Sequence, residues 1–309
     1  MSSRYQAQRT GLVAVALFVA AVGTCHADPI QTYIALGDAL AFGQSTSTPQ
    51  ASYGNQGYVQ QFANYLGSLD NGIAPNVINL AIPGETSASY FSADNSTAAR
   101  QAGAQANLNY GGDSTLAQRN FLAGVAAAEH AAGRTVSTVS FALGLGDFQA
   151  LSNTPAFQNA TIAQQEAMVD QLIATLKSNY TTALSQIRGV LPNASLYLPS
   201  YYNPYGYLSP TDPQNVLTGY FVGSQLQLIQ SLSQQFNANV VNLEAAFAGH
   251  ELQLTNVASG NIYPNAQGYS AIANQVISVA ETPEPGSMAL MAIGAAAVAG
   301  WSRVRRRPV

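Results

Sequence analysis

Sulfur and imidazole are almost missing from this chain, which holds one cysteine and three histidines in 309 residues. The cysteine, Cys25, sits at the end of an N-terminal apolar stretch. Downstream of it there can be no disulfide and no thiolate metal site. Only His130 and His250 lie beyond that stretch, which excludes a multi-histidine metal centre. Charge is scarce as well, at 8% of residues, with 15 acidic against 11 basic side chains. Six of the basic residues are arginines at the two ends: Arg4, Arg9, Arg303, Arg305, Arg306 and Arg307. Without them and Glu284, residues 28–282 carry 14 acids against 5 bases, a net of −9. That balance excludes the basic footprint a nucleic-acid partner needs. No metal and no cofactor is expected.

The ends are legible. Arg4 and Arg9 precede an apolar run at 11–23 (GLVAVALFVAAVG), then Thr24-Cys25-His26-Ala27. A charged start, an apolar stretch and a small-residue end predict a secretory signal over residues 1–27, cut at Ala27/Asp28. The run is too short to span a bilayer comfortably. At the other end Pro283-Glu284-Pro285 leads into an apolar stretch at 286–301 and an arginine cluster at 303–307. Positive charge after an apolar stretch orients that end toward the cytoplasm. The tripartite segment 283–309 resembles a PEP-CTERM sorting signal. The resemblance implies export by a Gram-negative bacterium, handover to an exosortase, a place at the cell surface or outside, and membrane contact only through the tail. Residues 28–282 remain, a normal size for one α/β domain.

Short apolar runs at 31–36, 76–80, 136–143, 195–198 and 239–243 read as strands. Longer amphipathic stretches lie between them. At 162–187, Met168, Val169, Leu172, Ile173, Leu176, Tyr180, Leu184 and Ile187 recur at helical steps. Thr161 with Gln164 supplies a capping box and Gly189 a stop. Further helices are expected at 213–236 and from about Asn265 to Val279. Alternation of five strands with helices predicts a three-layer α/β/α, doubly wound parallel sheet, with chemistry at the loops following the strands. The polar stretches 45–53 and 87–113 read as surface loops at the edge of that site.

Four segments carry the chemistry. Residues 33–43 read YIALGDALAFG, an apolar strand running into Gly37-Asp38-Ala39. Residues 79–86 read NLAIPGET, 144–147 read GLGD, and 261–269 read NIYPNAQGY. Together and in this order they resemble the SGNH/GDSL hydrolases, an esterase and lipase family. The resemblance implies a flavodoxin-like fold and carboxylic ester hydrolysis. It aligns Ala39 with the nucleophilic serine and Gly84 with the glycine whose N–H serves the oxyanion hole. It aligns Gly146 with the asparagine that completes the hole, Asn261 (or Gly260, depending on spacing) with the orienting acid, and Tyr263 with the histidine base. Gly37, Asp38, Thr86, Gly144, Asp147, Pro264, Gly268 and Tyr269 match the family framework.

Acyl transfer of this kind needs an activated hydroxyl, a base and aimed donors. Loss of the nucleophile or the base alone costs on the order of a millionfold in kcat in a comparable enzyme. A tyrosine with pKa about 10 is a poor base at neutral pH. The expectation is therefore an exported, catalytically inactive SGNH/GDSL-type homologue, with an ester or acylated carbohydrate as its ligand. Two alternatives stand beside it: an esterase or polysaccharide deacetylase using displaced residues, with Ser45, Ser47 or Ser87 as stand-ins, and a structural protein of an exopolysaccharide matrix. Asp38, Glu85 and Asp147 also invite a hard-cation site, against the simpler reading that Asp38 and Asp147 hold their own loops. The tyrosine-rich stretch 197–207 reads either as a sugar-stacking surface or as a loop packed on the sheet edge.

Overall fold

The computed structural model describes residues 30–281. The expected signal segment 1–27 and the sorting segment 283–309 lie outside them. No helix among the described residues is long and apolar enough to cross a membrane.

The chain opens with β1 (Gln31–Gly37), one short turn of helix α1 (Ala39–Phe42), α2 (Tyr58–Leu69) and β2 (Asn76–Asn79). Next come α3 (Ala98–Ala106), α4 (Gln118–Ala131) and β3 (Thr135–Ala142). Helices α5 (Leu145–Ser152), α6 (Pro155–Gln158) and α7 (Ile162–Val190) lead to β4 (Ser195–Pro199), α8 (Pro213–Phe236) and β5 (Asn239–Val241). The rest is α9 (Glu244–Phe247), α10 (Glu251–Leu254), a small hairpin β6 (Thr255–Asn256) and β7 (Asn261–Pro264), and α11 (Ala266–Glu281).

Strands β2-β1-β3-β4-β5 form one sheet in that order, every pairing parallel. Helices α2 and α11 pack together on one side, and α7 packs on α4 and α8. Burial on both faces is why β1 is apolar without alternation: Tyr33, Ile34, Ala35 and Leu36 are all buried. Strand order reverses between β1 and β3, so the crevice beyond their carboxyl ends is where this topology places a ligand. Tyr180 of α7 braces that end, its hydroxyl accepting from Leu143 N and donating to Leu143 O, both at 2.7 Å.

The five strands and the helix at 213–236 form as expected, and α7 starts at the expected capping box. Gly189 does not stop α7, which continues to Val190. The break comes at Leu191-Pro192, because a residue before proline is pushed out of helical geometry. The stretch 87–113 is more than a surface loop: it contains α3, capped by Thr97 Oγ1 on Arg100 N at 3.1 Å. The apolar positions of α3 are alanine and glycine, and one of its buried side chains is an arginine, so hydrophobic periodicity does not reveal it. The 45–53 segment joins this layer through a bridge between Ser52 and Asn107.

Candidate functional site

The end of β1 is built on contact with β3. Gly37 has φ +129°, and a Cβ there would lie 2.0 Å from Ala142 O. Asp38 N donates to Ala142 O at 3.2 Å. Asp38 caps α1, its Oδ1 accepting from Leu40 N at 3.2 Å. The Tyr201 hydroxyl donates to Oδ2, and Leu145 N–H donates to the same carboxylate. These bonds hold the pKa down, yet burial outweighs them and lifts it from 3.8 to about 7. Asp38 thereby ties together the chain leaving β1, β3 and β4. Ala39, the first residue of α1, is buried at 2% exposure, and its neighbour Leu40 reaches the cleft.

After β2 the chain turns at Gly84, where φ is +75° and a Cβ would meet Ala99 C and Arg100 N at 2.8 Å. Beyond it Glu85 is fully buried. It pairs with the fully buried Arg100 at 3.3 Å and accepts from Gln118 Nε2 at 2.6 Å and from the Ser89 hydroxyl. Gln118 also brackets Gly37, donating to its O at 2.6 Å and accepting from its N at 2.9 Å. A single glutamine thus couples the Gly84 turn to the tip of β1. Arg100 further donates to Ser114 O and Leu116 O. Thr86 is fixed by Ser89, whose Oγ accepts from Thr86 N at 2.9 Å.

After β3 the chain turns at Gly144, with φ +127°. Gly146 follows in the first turn of α5, and a Cβ there would sit 2.2 Å from Glu85 O and 3.2 Å from Gly84 O. The slot aligned with the oxyanion asparagine is therefore filled by backbone. Asp147 accepts from Ser87 N at 2.7 Å and from Ser87 Oγ at 2.8 Å. Asn179 Nδ2 donates to the same hydroxyl at 2.8 Å. Burial raises the Asp147 pKa, and the Ser87 bonds partly oppose it.

The last segment forms β7. Asn261 Nδ2 donates to Ser45 O at 2.8 Å, and its Oδ1 accepts from Tyr263 N at 3.0 Å. The carboxamide is thus committed to backbone, not to the Tyr263 ring. The Tyr263 phenol lies beside the Gln149 and Gln44 side chains, and burial raises its pKa. Pro264 is buried. Gly268 passes so close to Leu254 that a Cβ would lie 2.0 Å from the carbonyl oxygen. Tyr269 donates its hydroxyl to Gln44 O at 2.7 Å.

Leu40, Gly84, Gly146, Asn261 and Tyr263 all border one cleft of about 760 Å3, so the four separated segments do meet, although Ala39 itself is not part of the lining. His130, in the last turn of α4, and His250, ahead of α10, are both exposed and lie off the cleft. Of the stand-in serines, Ser87 is buried and held by Asp147 and Asn179, and Ser45 lends its carbonyl to Asn261 and Asn256. Ser47 borders the cleft with no imidazole on the lining. The three carboxylates do not converge on a common site: Asp38 is taken by Tyr201, Glu85 by Arg100 and Asp147 by Ser87. No group of three metal-binding side chains occurs among the described residues.

The tyrosine-rich stretch divides. Tyr197, Tyr201 and Tyr202 are buried, Tyr205 is half-buried and Tyr207 is exposed, and Tyr201, Tyr202 and Tyr205 border the cleft. The roles of Tyr201, Gln118 and Arg100 are not visible in sequence, since each partner lies in another segment. A lone arginine within AARQAGAQA, in a chain this poor in bases, is the one hint for Arg100.

The same architecture recurs in solved structures. The lipase Lip_vut3 from a goat rumen metagenome aligns with a TM-score of 0.55 at 18% identity, over 81% of this chain and 97% of its own. An extracellular lipase from Streptomyces rimosus gives 0.53 at 16%, over 81% and 99%. A mutant acetyl-xylooligosaccharide esterase from Geobacillus gives 0.51 at 15%, over 82% and 96%. Identities this low carry the fold alone. No curated protein matches the sequence. Residues 281–307 match the PEP-CTERM protein-sorting motif, close to the 283–309 expected. The described domain has the fold of the SGNH/GDSL esterases and lipases, and the chain ends in a PEP-CTERM protein-sorting motif.

Proposed function

We propose that this protein is an exported, surface-sorted pseudohydrolase: an SGNH-type scaffold that holds a ligand in its cleft and does not cut it. The sorting motif implies processing by exosortase-type machinery and anchoring at the surface of a Gram-negative cell. The domain boundaries that go with this reading are a signal at 1–27, a hydrolase-like domain at 28–282 and the sorting signal at 283–309. The ligand class carried over from the fold is an ester or an acylated carbohydrate.

One observation carries the reading. The slot at Gly146 is occupied by the Glu85 carbonyl, while Ala39 stands at the nucleophile position and no histidine borders the cleft. A Cβ at Gly146 would lie 2.2 Å from Glu85 O, so the position has no room for an oxyanion-hole side chain. The retained residues have structural duties that persist without catalysis, Asp38 through Tyr201 and Asp147 through Ser87.

The test is ester turnover by the purified full chain on p-nitrophenyl acetate and butyrate. The expected rate equals that of buffer. Turnover that a serine-directed inhibitor abolishes would sink the proposal and favour a displaced nucleophile, with Ser47 the first candidate.

A further inference from the structure

The cleft has no charged wall. Among the described residues, none that borders it is Asp, Glu, Lys, Arg or His. Its polar groups are instead amides and hydroxyls. Four successive helices, α5 to α8, each contribute a glutamine: Gln149, Gln158, Gln165 and Gln214. Tyr263 stands across from them on β7, its phenol beside Gln149. Two aromatic rings at the cleft are fixed from behind. Phe148 stacks on Phe221 at 4.4 Å with planes 5° apart, and Tyr202 stacks on Phe247 at 3.9 Å and 8°. The rings and the short helices are therefore set before any ligand arrives, which lowers the ordering cost of binding.

The lining discriminates among ligand classes. A buried anion finds no cation here, and desolvating an unpaired charge is costly. A long acyl chain would cover the lining amides and phenol without bonding those that lack a protein partner, at about 1–3 kcal/mol for each such group; Gln158 and Gln165 already donate to Ser152 O and Phe157 O. A side-chain amide both donates and accepts, as a hydroxyl does, so a neutral ligand dense in hydroxyl groups satisfies the amides without stranding them. Aromatic rings take the apolar faces of such a ligand. A cleft of about 760 Å3 lies within the range of sites that bury a small ligand, roughly 300–1,000 Å3.

We infer that the cleft binds an uncharged oligosaccharide segment, with Gln149 and Tyr263 bonding its hydroxyls and the half-buried ring of Phe148 packing against a sugar face. The inference rests on the non-hydrolytic reading, because the ligand must be kept intact. It moves the recognised feature from the ester to the neutral glycan that carries it. Recognition of this kind holds the protein to uncharged polysaccharide outside the cell.

Isothermal titration calorimetry on the full chain, purified in a detergent without a sugar headgroup, tests it. The probes are cello-, manno- and xylo-oligosaccharides as neutral ligands, hexagalacturonate as an anionic one and methyl decanoate as an uncharged acyl chain. At least one neutral oligosaccharide is expected to bind, with hexagalacturonate and methyl decanoate weaker by about tenfold or more. Tyr263→Phe and Gln149→Leu, which keep the ring and the side-chain bulk, are each expected to weaken it about threefold to tenfold. Circular dichroism confirms that both variants fold. Absence of heat with every neutral oligosaccharide, equal or tighter binding of the charged or acyl probe, or unchanged affinity in both variants overturns the inference. Absent oligosaccharide binding together with absent ester turnover removes this inference alone, whereas ester turnover removes the reading beneath it.

Discussion

The hydroxyl of Tyr201 donates to the carboxylate of Asp38, across 163 residues of chain. The bond fastens the loop after β4 to the first turn after β1, and Leu145 N–H brings the chain after β3 to the same carboxylate. A buried group that joins three adjacent strand ends explains why an aspartate remains in this position beside an alanine that cannot act as nucleophile.

Asp38 should make stability depend on pH in a defined window. Its folded pKa is about 7 against 3.8 for the free side chain. Between those values the folded state holds a proton that the unfolded chain has released. The Asp38 contribution to stability is therefore full below about pH 4, falls as pH rises toward 7, and is lost above it. The full span amounts to something on the order of 4 kcal/mol at 1.4 kcal/mol per pH unit. Asp38→Asn keeps an acceptor for Leu40 N and an amide hydrogen for the Tyr201 oxygen, but has no charge to lose. Urea unfolding at a series of pH values should show this slope in the parent and a flatter curve in the variant. An unchanged slope would mean that Asp38 is not the group responsible.

Gly146 offers a test by sign. Glycine in a helix is normally worse than alanine by about 0.5–1 kcal/mol, so Gly→Ala stabilises where there is room. At Gly146 the added methyl would lie 2.2 Å from Glu85 O. Gly146→Ala should therefore destabilise, by about 1–3 kcal/mol as overpacking does. Gly124, on α4 with nothing within 4 Å of its would-be Cβ, is the control and should follow the ordinary rule. A stabilised Gly146→Ala protein would show that the slot is open.

The Glu85–Arg100 pair is fully buried, and Gln118 and Ser89 complete the bonding of the carboxylate. Burial still raises the Glu85 pKa, against the pull of Arg100 and the hydrogen bonds. Arg100→Met strands that carboxylate, and the expected loss is about 3–5 kcal/mol. Glu85→Gln added to Arg100→Met removes the stranded charge, so the double variant should be more stable than Arg100→Met alone. Chemical denaturation of the four proteins in this cycle measures the coupling. Additive losses would place the arginine's value in its bonds to Ser114 and Leu116 instead.

What sequence conveyed and what it withheld follow one division. Strand β1 reads as an apolar run without alternation because both faces of the sheet are covered, and α7 announced itself through its repeat and its capping box. Three of the site segments could be placed at one edge because they follow β1, β2 and β3, whose parallel strands all end there, whereas the fourth lies on the separate β6–β7 hairpin. Helix α3 escaped because alanine, glycine and a buried arginine leave no apolar stripe. The meaning of Gly146 escaped for a different reason. A glycine in sequence does not tell whether a side chain is merely missing or is forbidden, and only the position of Glu85 O decides that. Asn261 is similar: its substitution is visible, but its use as a strap between Ser45 O and Tyr263 N is not.

The same distinction shapes any attempt to restore hydrolysis. Ala39→Ser alone adds a hydroxyl with no imidazole to activate it, and absence of the base costs on the order of a millionfold in a comparable enzyme. Its expected rate on p-nitrophenyl acetate equals that of the parent. Ala39→Ser with Tyr263→His supplies both groups, and a slow turnover sensitive to serine-directed inhibitors should appear. It should remain far below a working hydrolase, since one missing oxyanion donor costs about 3 kcal/mol and Asn261 is held by backbone partners. Adding Gly146→Asn to this pair should lower the folded yield without raising the rate, because the asparagine meets the Glu85 carbonyl before it can reach a substrate. A rate that rose with that third change would mean that the 84–85 turn yields readily, and that the site is an idle hydrolase rather than a closed one.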